Sequence, residues 1–107
     1  RRSKRFFYEM GTLKVIVRND ALNFMQEVTH WYECTMGRKA AQKFTDDIRN
    51  TISTLSRFPG IGTLEHNRST ATTKYYSFLS HPKYRIIYRF TKTTLYIVAI
   101  HATMMKH

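Results

Sequence analysis

Arg85 and Arg89 stand four residues apart in the run Tyr84-Arg85-Ile86-Ile87-Tyr88-Arg89-Phe90, whose β-branched and aromatic content marks a strand. With a period of two, Tyr84, Ile86, Tyr88 and Phe90 share one face, and Arg85, Ile87 and Arg89 share the other. A guanidinium offers two parallel donors to a phosphate group, and on a rigid strand it is preorganised for charge that grows in a transition state. Lys74 stands at the start of the neighbouring strand, close enough in sequence to add electrostatic support, and Arg89 could hold the substrate. His101 closes the last strand, where an imidazole titrating near neutrality could pass a proton to or from a ribose or phosphate. The set suits phosphodiester chemistry. The competing reading makes the arginines solvated charges on an open sheet face and His101 a hydrogen-bonded structural residue. Ile87, between the arginines, argues that this face is not given wholly to solvent.

Other chemistries find no support. There is no Ser/His/Asp arrangement, no glycine-rich phosphate loop and no carboxylate pair at informative spacing, since Asp46 and Asp47 are neighbours that diverge on a helix. His30, His66, His81 and the terminal His107 have no partners at legible spacing. The single cysteine, Cys34, cannot form an internal disulfide, and its neighbours Trp31 and Tyr32 predict burial rather than reactivity. No Cys/His cluster has zinc spacing, so neither a metal nor a cofactor is expected. Tyr75, Tyr76, Phe78, Tyr84 and Tyr88 could stack on bases, but cross-strand and core packing is their more frequent use.

The elements that must position these residues follow from periodicity. Leu13 to Arg18 reads as a short strand, and Asn19-Asp20 as a turn and helix N-cap. A helix from about Ala21 to about Met36 carries Leu22, Met25, Val28 and Tyr32 on one side, with Phe24 and Trp31 broadening its apolar face, and Gly37 breaks it. Ala41, Phe44, Ile48, Ile52, Leu55 and Phe58 then repeat at three and four residues, the strongest periodic signal in the chain, until Pro59-Gly60-Ile61-Gly62 ends the second helix. Residues 63–72 are polar and read as a loop. Lys74 to Ser80, Tyr84 to Phe90 and Leu95 to His101 read as strands joined by short turns. The fold class is therefore α+β, in the order β-α-α-β-β-β, with a helical hairpin on one face of a largely antiparallel four-stranded sheet and the arginine face left open.

At 107 residues the chain suits one domain, with residues 1–12 as a basic extension, a plausible translation start at Met10, and a single domain over 13–107. Its aromatic and β-branched content is that of a folding sequence. Eighteen Lys/Arg against seven Asp/Glu give a net charge of +11, which points to an anionic partner. The imbalance is greatest at the C-terminal end, because Glu65 is the last acidic residue and seven Lys/Arg follow it. No apolar run approaches the roughly 18 residues of a membrane span, so no membrane partner is expected and the cytoplasm is the simplest location.

Layout and residues together resemble the RelE/ParE superfamily of bacterial toxins. The resemblance rests on Lys14-Val15-Ile16-Val17, on Leu55-Ser56-Arg57-Phe58-Pro59-Gly60-Ile61-Gly62, on Tyr84-Arg85-Ile86-Ile87-Tyr88-Arg89 and on Ile97-Val98-Ala99-Ile100-His101, in the family's order. It implies the toxin of a two-gene addiction module, neutralised by a cognate acidic antitoxin. Two mechanisms occur among such proteins: ribosome-dependent cleavage of mRNA, and non-enzymatic inhibition of DNA gyrase. The leading expectation is mRNA cleavage on the ribosome, with Arg85 matching the arginine that contacts the scissile phosphate, Lys74 the preceding basic residue and His101 the histidine at the last strand's end. Gyrase inhibition is the alternative, and a non-toxic nucleic-acid-binding module is a third. The segment Ala102-Thr103-Met104-Met105-Lys106 lacks the arginine or tyrosine that the nuclease branch usually adds there, and Pro59-Gly60-Ile61-Gly62 looks more like ParE members.

Overall fold

The computed structural model describes residues 12–80 and 83–103. The expected N-terminal extension, apart from Thr12, the start at Met10, the turn residues His81 and Pro82, and the tail from Met104 lie outside the described residues. The elements are β1 (Lys14–Val17), α1 (Asn19–Thr35), α2 (Arg38–Arg57), a 3-10 turn (Pro59–Ile61), β2 (Thr63–Leu64), β3 (Tyr76–Leu79), β4 (Tyr84–Phe90) and β5 (Thr94–Ala102). They form one sheet in the order β1-β5-β4-β3-β2, antiparallel throughout except that β1 runs parallel to β5. The α+β class and the helical hairpin are as expected. The sheet has five strands rather than four, because Thr63 and Leu64, inside the expected loop, pair with Ser77 and Tyr76. Two residues carry no periodicity of their own, so only the partner strand defines β2.

The helical hairpin turns at Gly37, whose φ of 99° lies in the region that side-chain-bearing residues avoid. Its N–H and that of Met36 both donate to the Tyr32 carbonyl, satisfying the end of α1. The expected Asn19-Asp20 cap is not used. Arg18 occupies the N-cap without a side-chain bond, and Asn19 and Asp20 are already helical.

In α2 the three-and-four repeat buries Ala41, Phe44, Ile48 and Leu55 against the sheet. Full burial of a side chain such as Ile48 or Leu55 is worth about 1.5–3 kcal/mol. Phe58, placed last on that face by the repeat, is exposed instead, since the helix has ended at Arg57. From the sheet, Ile86, Tyr88, Leu95, Ile97 and Ile100 complete the core with Ala21 of α1. The α1 stripe is shallower than its sequence indicates, with Leu22 and Trp31 exposed while Phe24, Met25, Val28 and Tyr32 pack on the core edge.

Tyr88 fixes the turn that ends α2. Its buried hydroxyl donates to the Pro59 carbonyl at 2.7 Å and accepts from the Gly62 N–H at 3.0 Å. A Cβ on Gly62 would collide with that hydroxyl and with the Ser77 carbonyl. Both turn groups are thus satisfied inside the core, as buried backbone groups must be.

Candidate functional site

Directly opposed residues in neighbouring strands share a face. Arg85 faces His101 and Leu79, Ile87 faces Ala99 and Ser77, and Arg89 faces Tyr96. The register then skips Val98, because Tyr88 pairs with Ile97 after Ile87 has paired with Ala99. This β-bulge lets Ile97 and Ile100 both face the helices while Tyr96 and His101 both face away. The sheet face opposite the helices therefore presents Arg85, Arg89, Tyr96, His101 and Ser77 together. Ile87 lies among them at 3% exposure, so this face is partly covered, as its presence between two arginines suggested.

Arg85 is not a free guanidinium. Its Nη1 lies 3.7 Å from Glu65 Oε2 and 3.5 Å from Ser77 Oγ, and the Ser77 hydroxyl donates to the same carboxylate oxygen at 2.6 Å. Glu65 is placed by backbone: its N–H donates to the Tyr75 carbonyl at 2.7 Å, and its own carbonyl accepts from Ser69 and Arg68. The side chains are 44% exposed for Arg85 and 28% for Glu65, so the pair sits in a partly solvated setting. Sequence reasoning gave Glu65 no role, since it precedes Arg85 by twenty positions in a stretch without periodicity. The available signal was that Glu65 is the last carboxylate before a wholly basic segment.

The other expected residues are placed differently. His101 lies across from Arg85 in register and is exposed. Arg89 lays its guanidinium 4.0 Å from the centre of the Tyr96 ring, a cation–π contact that occupies its planar face. Lys74 is exposed and precedes β3, which begins at Tyr76, so it is not on a strand as expected. Cys34 is exposed rather than buried, with Sγ 3.4 Å from His30 Nε2 one turn earlier on α1. Trp31 and Tyr32 are its sequence neighbours, but Tyr32 points to the core edge and Trp31 is itself 54% exposed.

The aromatic residues divide by face. Tyr76, Tyr88 and Phe90 stack on the helix side, and Phe24, Tyr32, Phe44 and Tyr84 form a second cluster there. Burial raises the Tyr84 phenol above its ordinary 10.0, reinforced by the 3.0 Å bond to the Tyr32 hydroxyl. Burial likewise raises Tyr88, with the Gly62 N–H working against it. Neither phenol shares a face with Arg85. Tyr32, Phe44 and Tyr84 also line a cavity of about 230 Å³ near the Gly37 turn of the hairpin, rimmed by Lys43, Asp47 and Lys83.

Among the described residues no helix is long and apolar enough to cross a membrane. No curated protein matches the sequence. The fold is similar to that of a chain in the chromosomal ParDE toxin–antitoxin system of P. aeruginosa, with a TM-score of 0.68 over 88% of this chain and 97% of that one, at 15% identity. The sequence itself matches the family model for the ParE toxin of the type II parDE toxin–antitoxin system over residues 15–106. That match spans every helix and nearly every strand residue described above, and by it the chain belongs to the ParE toxin family, within the RelE/ParE superfamily.

Proposed function

We propose that this toxin arrests growth by inhibiting DNA gyrase without catalysing a reaction, and that an acidic antitoxin, encoded with it, neutralises it in the cytoplasm. The observation carrying this reading is the match to the ParE toxin model over residues 15–106. A strand-scission site needs a guanidinium aimed at developing charge on phosphate, with an acid and a base within reach. Here Lys74 stands off the strand and Arg89 rests on Tyr96, so neither stands beside Arg85 as a second basic group. A net charge of +11 suits a neutralising partner of opposite sign, because complementary fields speed encounter.

Cleavage of mRNA on the ribosome, the leading expectation from sequence, would use Arg85, His101 and Lys74 as its groups. Induction of the toxin in cells separates the two mechanisms by order of events. Gyrase inhibition relaxes plasmid DNA and induces the SOS response while amino-acid incorporation is still intact. Loss of incorporation ahead of any change in supercoiling would refute the gyrase reading.

A further inference from the structure

Among the described residues Glu65 stands apart from the other paired carboxylates: Asp47 and Asp46 meet Lys43 and Gln42 one turn away on α2, whereas Glu65 reaches across the sheet to a strand twenty residues on. Its position is set by three backbone hydrogen bonds, and the hydroxyl of Ser77, a residue 3% exposed, donates a hydrogen bond to the carboxylate. The arrangement is a carboxylate held where an arginine and a hydroxyl converge, with His101 opposite Arg85 in register. A non-bridging oxygen of a phosphodiester can stand where Glu65 Oε2 does, between the same two donors. The surrounding chain favours nucleic acid over an acidic protein: from His66 onward it holds seven Lys/Arg and no acid, which suits a repeating polyanion.

We infer that Glu65 is an intramolecular plug in a phosphate site formed by Arg85 Nη1 and Ser77 Oγ, and that a phosphodiester of DNA takes its place. The inference rests on the geometry of Arg85 and needs no assumption about gyrase. The carboxylate is tethered and therefore always present, so the open form is a minority and apparent affinity is lowered by its fraction. An exposed pair of this kind contributes modestly, which sets the expected masking at about fivefold.

The test measures binding of a short fluorescein-labelled single-stranded oligodeoxynucleotide to the full chain by anisotropy, at one fixed salt concentration. Glu65→Gln removes the charge and keeps an acceptor for the Ser77 hydroxyl, and it is expected to tighten binding about fivefold. Asp46→Asn makes the same change in net charge on the far side of α2 and should tighten it by less than about twofold. Adding Arg85→Ala to Glu65→Gln should abolish the gain. Equal tightening by Glu65→Gln and Asp46→Asn, or a gain that survives Arg85→Ala, would overturn the plug. Because the assay contains no gyrase, failure here leaves the proposed target standing, and failure of the target leaves the plug standing.

Discussion

At the scale of single residues, the hydroxyl of Tyr88 has the most demanding environment. Tyr88→Phe leaves the Pro59 carbonyl and the Gly62 N–H without their partner inside the core, and should cost about 1–3 kcal/mol in urea unfolding. Gly62→Ala should be at least as damaging, because the added methyl meets the Tyr88 hydroxyl and the Ser77 carbonyl, while Gly60→Ala meets nothing and should be nearly neutral. The phenols also set an alkaline limit. Tyr84 and Tyr88 have folded pKa values above the ordinary 10.0, so the folded chain keeps protons that the unfolded chain releases. Their contribution is complete below about pH 10 and declines as pH rises toward the folded values. Unfolding free energy measured across that range should fall more steeply for the parent than for Tyr84→Phe. Alternation in the sequence was enough to place Arg85 with Arg89 and to turn Tyr88 inward. The partners were not legible, because Glu65 and Gly62 come from segments without a period, brought in only by the fold.

Among the elements, both helices hold the sheet, α1 lying along β5 and α2 through its buried stripe, and they pack on each other. Ile48→Ala removes a wholly buried side chain from the centre of the core and should cost about 2–5 kcal/mol, against less than about 0.5 kcal/mol for Leu22→Ala on the exposed side of α1. Comparable losses at the two positions would mean that the hairpin is packed differently. The helices were readable from the sequence because a buried stripe must recur every three or four residues, and β4 and β5 because a half-buried strand must alternate. Two features had no such signature. The parallel placement of β1 beside β5 depends on where the helical hairpin returns the chain, and β2 exists only through its pairing with β3. The bulge at Val98 is a third, since one extra residue in β5 restores the facing of Ile100 and His101 without altering the apolar count.

For the whole molecule, the family fixes the class of function, the toxin of a type II toxin–antitoxin system. Expression of the chain alone should arrest bacterial growth, and co-expression of its cognate antitoxin should relieve it. Vigorous growth with the folded chain present at high level would contradict toxicity itself. The sequence led first toward mRNA cleavage because Arg85, His101 and Lys74 carry suitable chemistry; the fold brings the first two to one face, answers Arg85 with Glu65 and leaves Lys74 off the strands. Supercoiling of relaxed plasmid by purified gyrase and ATP, with the full chain added, tests the proposed target most directly. The account predicts a dose-dependent loss of supercoiling, reversed by the antitoxin, with mRNA in a translating ribosome extract left uncut at the same toxin concentration. Undiminished supercoiling together with ribosome-dependent cleavage of the message would contradict it.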